Sequence, residues 1–71
     1  MNLKLRSRIV EIIDTYGFVI GGVPCELLFY HVNNQEMYPG SKYSNEEIIE
    51  EVRYLEERGK IEKTTAYKIK G

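Results

Sequence analysis

The stretch SNEEIIEEVRYLEERGKIEKTTAYKIKG, Ser44 to Gly71, decides the fold. Ser44 and Glu47 have the spacing of a capping box, in which the serine oxygen accepts from the Glu47 amide and the glutamate accepts from the Ser44 amide. This predicts a helix that starts at Ser44. Ile48, Val52 and Leu55 recur on one stripe with Ile49 at its edge, and most other positions are charged, so one face of the helix requires a core. Gly59 follows the last apolar turn, where a positive-φ residue ends a helix with least strain, and Arg58 suits the negative end of the helix dipole. Beyond it, Ile61, Tyr67 and Ile69 alternate with Lys60, Glu62, Lys68 and Lys70, the period of strands with one buried face. Thr64, Thr65 and Ala66 form the expected tip of a hairpin. They lack an Asn-Gly or Gly-X pair, which predicts a loop longer than a tight turn.

Toward the N-terminus, Leu5, Ile9, Ile12, Ile13 and Tyr16 recur at helical spacing, with Asn2 as N-cap and Gly17 as the stop. Phe18, Val19 and Ile20 are β-prone and precede Gly21-Gly22, which predicts a short strand and a turn, the strand pairing with the C-terminal hairpin. Pro24 suits the first position of a second helix, CELLFYHV. So short an apolar run also fits a buried strand, but the proline favours helix. Leu27, Leu28, Phe29, Tyr30 and Val32 make that segment apolar on nearly every side, so either the following loop folds over it or a second copy or another protein covers it. Asn33 and Asn34 end the helix, and Tyr38-Pro39-Gly40-Ser41 fits a type II turn within a structured connector.

The whole chain of 71 residues, 42% hydrophobic, reads as one small domain, residues 1–71. Domains of this size bury only roughly 60% of the surface of the unfolded chain, and dimerisation is a natural source of added stability. No apolar run approaches the roughly 20 residues of a membrane span, and the N-terminus lacks a signal-peptide core, which predicts a cytoplasmic location without membrane contact. Cys25 is the only cysteine, which fits a reducing compartment. The formal net charge of −1 conceals a pattern. Lys4, Arg6 and Arg8 make the start positive, Lys60, Lys63, Lys68 and Lys70 make the end positive, and the segment from Glu46 to Arg58 is strongly acidic.

The order helix, strand, helix, connector, helix, hairpin resembles the winged helix-turn-helix family. The likeness is carried by VRYLEERGKIEK followed by YKIKG, where Leu55, Gly59 and Ile61 match the family's passage from third helix to wing, and by LRSRIVEIIDTYG as its first helix. VPCELLFYHVNN, YPG and YLEERG also resemble small uncharacterised proteins of Mu-like phages. The resemblance implies an α+β winged helix with three helices, a short strand after the first and a C-terminal β-hairpin wing. It further implies DNA binding in transcription regulation or as a factor of a mobile element. Two departures stand out. The connector between the second and third helices is longer than a tight helix-turn-helix turn, and the face of the third helix opposite its apolar stripe presents Glu46, Glu50, Arg53, Tyr54 and Glu57, with Glu47 nearby.

Carboxylates pressed against a phosphate backbone oppose binding, although one glutamate can accept from cytosine N4. Contacts with double-stranded DNA are therefore expected at Lys42, Tyr43, Ser44 and Asn45 at the start of the third helix, at Arg53, and at the wing residues Lys60, Lys63, Thr64, Thr65 and Lys68. Lys4, Arg6 and Arg8 are expected to add backbone contacts; scattered surface lysines and arginines are also ordinary solvation. The competing reading is an interaction module whose acidic third helix or apolar second helix docks a protein. Catalysis is not expected. Cys25 and His31, six apart, point about 240° away from each other on a helix. One cysteine and one histidine are too few for a closed zinc site. The glutamates have no evident pocket to separate their pKa values, and Gly21-Gly22 is no phosphate loop. No cofactor, metal or small-molecule substrate is implied. Tyr16 and Tyr67 fit core positions, whereas Tyr38, Tyr43 and Tyr54 read as exposed.

Overall fold

In the computed structural model of the chain, the description covers residues 2–20, 22–40, 42–63 and 67–69, with backbone only at 18–20, 63 and 68. The element order is α1 (Leu3–Ile20), α2 (Cys25–Val32), α3 (Asn45–Glu57), β1 (Ile61–Lys63) and β2 (Tyr67–Ile69), a small α+β arrangement. Asn2 caps α1 as expected, its Oδ1 accepting from the Leu5 amide at 3.0 Å.

Gly17 does not stop α1, and Phe18–Ile20 is helix rather than strand. A glycine permits helical dihedrals at a cost of about 1 kcal/mol, and β-propensity is easily overridden when a long helix already lies against the core. The chain turns instead at Gly22, whose φ of 139° requires glycine. Val23 then takes the role expected of the strand. Its N–H donates to the Tyr67 carbonyl at 2.8 Å, and the Tyr67 N–H donates back at 3.0 Å.

β1 and β2 pair antiparallel, with Ile61 opposite Ile69, Glu62 opposite Lys68 and Lys63 opposite Tyr67. A strand residue directs its N–H and C=O to the same edge, so Tyr67, which spends both on Val23, places Val23 on the edge of β2 away from β1. The expected tip residues Thr64, Thr65 and Ala66 lie outside the described residues.

α2 starts one residue later than expected, with Pro24 as N-cap in an extended conformation and Asn33 as C-cap. α3 matches its expected start: the Ser44 Oγ accepts from the Glu47 amide at 3.1 Å and Glu47 Oε1 accepts from the Ser44 amide at 3.1 Å. Its end is a Schellman motif, in which the Gly59 amide donates to the Glu56 carbonyl and the Lys60 amide to the Leu55 carbonyl, both at 3.0 Å. Gly59, at φ 71°, supplies the left-handed residue.

The core joins Leu5, Ile9, Ile12 and Ile13 of α1 to Leu28 and Val32 of α2, Ile48, Val52 and Leu55 of α3, and Val23, Ile61 and Tyr67. Each fully buried aliphatic side chain contributes about 1.5–3 kcal/mol of transfer free energy. α1 is the central element, touching α2, α3 and β2. Ile69, expected on the buried face, remains partly exposed, as do Leu27 and Tyr30 on α2.

Candidate nucleic-acid interface

The residues expected to meet DNA begin at the connector that delivers the chain to α3. Asn33 ties this connector down. Its Nδ2 donates to the Tyr43 carbonyl and its Oδ1 accepts from the Tyr43 amide, both at 2.8 Å. Asn34 Oδ1 accepts from the Glu36 amide at 2.9 Å, the Tyr38 amide donates to the Asn34 carbonyl at 2.8 Å, and Gly40 at φ 86° fits the third position of the expected type II turn. Ser41 lies outside the described residues.

This geometry sorts the expected contacts. Lys42, Ser44 and Asn45 are exposed, whereas Tyr43 is packed partly against the core. The Tyr43 ring thus packs against the core with part of its surface left exposed. At the start of α3, Ser44 satisfies the third helical amide, and Glu46 and Glu47 in the first turn already complement the positive end of the dipole. A phosphate approaching the amides there meets two carboxylates.

Ile48, Val52 and Leu55 turn inward, and Glu46, Glu47, Glu50, Arg53 and Glu57 are exposed, so the outer face is acidic as expected. Arg53 lines a shallow cleft of about 290 Å³ with Arg6, Glu50, Glu51, Tyr54 and Glu57. Lys60 is exposed just past Gly59. Lys63 and Lys68 lie on β1 and β2, and Thr64 and Thr65 lie outside the described residues. The 13 residues of α3 span about 20 Å, so Lys42 and Lys60 sit beyond opposite ends of it.

Two cations expected to reach DNA are committed to the interior. Arg8, only 9% exposed, donates from Nη1 to the Val32 carbonyl at 3.2 Å, with its guanidinium 4.1 Å from the Tyr38 ring centre and 5.2 Å from that of Tyr43. Arg6 forms an ion pair with Glu51 at 3.0 Å and lies 3.8 Å over the Tyr54 ring, which Arg58 also approaches at 5.0 Å. Glu51, 5% exposed, accepts in addition from the Asn2 amide at 3.0 Å. Lys4 stays exposed. Tyr38, Tyr43 and Tyr54, expected to be exposed, are instead partly buried rings over which arginines lie.

The sequence carried a signal for both pairs: Arg8 falls on the stripe of Leu5, Ile9 and Ile12, and Glu51 falls between Ile48 and Leu55. A charge on an apolar stripe requires a buried partner. The Asn33–Tyr43 tie spans ten positions and has no local signature.

Burial, with the nearby Glu11 carboxylate, raises the Tyr38 phenol above its ordinary 10.0, against the opposing pull of Arg8. Burial likewise raises the Tyr67 phenol. Elsewhere, the His31 ring stacks on Tyr16 at 4.3 Å, and Cys25 packs partly against the core. Among the described residues, no helix is long and apolar enough to cross a membrane. No protein-family model, curated protein or solved structure matches the chain.

Proposed function

We propose that the chain is a small winged-helix protein that binds duplex DNA, as a transcriptional regulator or a factor of a mobile element, through the N-terminal end of α3 and a wing formed by β1 and β2. The observation that carries this reading is the two-sided pairing of β2, with β1 on one edge and Val23 on the other. It supports the order helix, strand, helix, helix, wing, in which the role of the first strand has shrunk to a single residue. The step from fold to DNA is by likeness to the winged-helix family, and the exposed Lys42, Lys60 and Arg53 with the strand lysines 63 and 68 supply the cations.

The acidic outer face sets the manner of binding. Seated deep in a major groove, α3 would press Glu46, Glu50 and Glu57 toward phosphates. The lysines flanking α3, Lys42 before it and Lys60 after it, therefore meet the backbone while its acidic outer face stands off, which makes the interaction weak and largely independent of sequence. With about three phosphates neutralised, log K falls against log salt with a slope near −3, and Lys42→Ala or Lys60→Ala each lowers that slope by about 1. Fluorescence anisotropy on a random duplex across a salt series measures both. A slope near zero overturns the reading.

A second reading is favoured by the same carboxylates. Glu46, Glu50 and Glu57 flank the half-buried Tyr54 and offer a basic protein segment a complementary face, with exposed Leu27 and Tyr30 on α2 as a separate surface for a second copy. The double substitution Glu46→Lys with Glu50→Lys distinguishes the two. It abolishes docking of a lysine-rich peptide if this reading holds and strengthens duplex binding if the first one does.

A further inference from the structure

We infer that Arg8, which contacts no external surface, is the positioning residue that fixes the connector from Asn33 to Ser44 and so sets how Lys42, Ser44 and Asn45 are presented to DNA. The inference rests on the DNA-binding reading above and deepens it. Three segments converge on this one guanidinium. It belongs to α1, its Nη1 donates to the carbonyl of Val32, the last residue of α2, and its Cζ lies 4.1 Å from the ring centre of Tyr38, midway along the connector, and 5.2 Å from that of Tyr43, near its end. Tyr43 is in turn the residue that Asn33 holds by both its amide and its carbonyl.

A planar group with several fixed donors is needed for these tasks to coincide. The edge of the guanidinium satisfies one of the helix-end carbonyls that lack an intrahelical partner, and its face stacks on a ring at the same time. Lysine has the charge but no plane. The positive group also opposes the negative end of α2, where the connector departs. Tyr43 immediately precedes the N-cap Ser44, so a shift of its ring moves the first turn of α3 with it.

The test uses the full chain with Arg8→Lys, with Arg8→Met to remove the charge, and with Tyr38→Leu, which removes the ring from the connector side while leaving α1 intact. Amide hydrogen exchange is followed by NMR, and duplex affinity is measured at fixed low salt. The inference predicts that exchange of the amides at positions 38 and 43 rises about tenfold in all three variants, while Ile12, Val52 and Leu55 keep their protection, as expected of a local opening. Duplex affinity falls several-fold and the salt slope is unchanged in Arg8→Met, because no phosphate contact is lost.

Protection lost equally in core and connector makes Arg8 a general stability residue and overturns the inference. A slope lowered by about 1 in Arg8→Met makes it a phosphate contact and does the same. Wild-type binding with unchanged affinity in Arg8→Lys overturns the inference alone, whereas a wild-type chain that ignores duplex DNA overturns the reading on which it rests.

Discussion

Glu51 is the residue on which the joint between α1 and α3 depends. Its two carboxylate oxygens accept from Arg6 Nε and from the Asn2 amide, each at 3.0 Å, at 5% exposure. The Arg6 Nη2 atom is buried without a hydrogen-bond partner, so the guanidinium already relies on Glu51 and the Tyr54 ring. Glu51→Ala leaves a largely buried cation unpaired and is expected to destabilise the fold by on the order of 3 kcal/mol. Replacing the pair together, Arg6→Met with Glu51→Leu, is expected to recover most of that loss, because apolar side chains of similar volume have no desolvation cost. Urea denaturation of the single and double variants measures both. This joint was only half legible in the sequence. The charges stood on apolar stripes, but which arginine met which glutamate depended on how α1 crosses α3, and Arg6 and Arg8 read equally well as surface cations.

At the scale of elements, α1 gives the clearest correction. Gly17 looked like a helix stop followed by a strand, yet the helix runs to Ile20. A Cβ at Gly17 meets its nearest neighbours at 3.8–3.9 Å, ordinary contact distance. Gly17→Ala is therefore expected to stabilise the protein by about 0.5–1 kcal/mol, by restricting the unfolded chain and improving helix propensity. A destabilisation of similar size in a thermal melt would contradict the helix. By contrast α3 was legible at both ends, because a capping box and a terminal glycine are local chemistry encoded within a few residues. The strand after α1 was misplaced for the opposite reason. Whether Phe18–Ile20 or Val23 pairs with β2 is fixed by where α1 ends against the core, a tertiary matter that no local propensity records.

For the molecule as a whole, pH and charge give the two remaining tests. Tyr38 and Tyr67 hold their phenolic protons more tightly than the ordinary 10.0, chiefly through burial. The folded state thus binds protons better than the unfolded chain in alkali. Their contribution to stability is complete below the unfolded value near 10 and is lost as pH rises through the folded values. The urea midpoint is expected to fall from about pH 10 upward, and Tyr38→Phe reduces that fall. The candidate contact residues were legible as types but not as an arrangement: Lys42, Ser44, Asn45 and Lys60 are exposed, whereas Tyr43, Arg6 and Arg8 pack partly or wholly inward.

The central claim is that the two ends of α3, rather than its outer face, meet duplex DNA, and an NMR titration of the labelled chain with random duplex at low salt tests it most directly. The account predicts amide shifts at Lys42, Ser44 and Asn45 and from Lys60 through Lys68, fading as salt is added. Shifts confined to Glu46, Glu50 and Glu57, or no shifts at all, would contradict it.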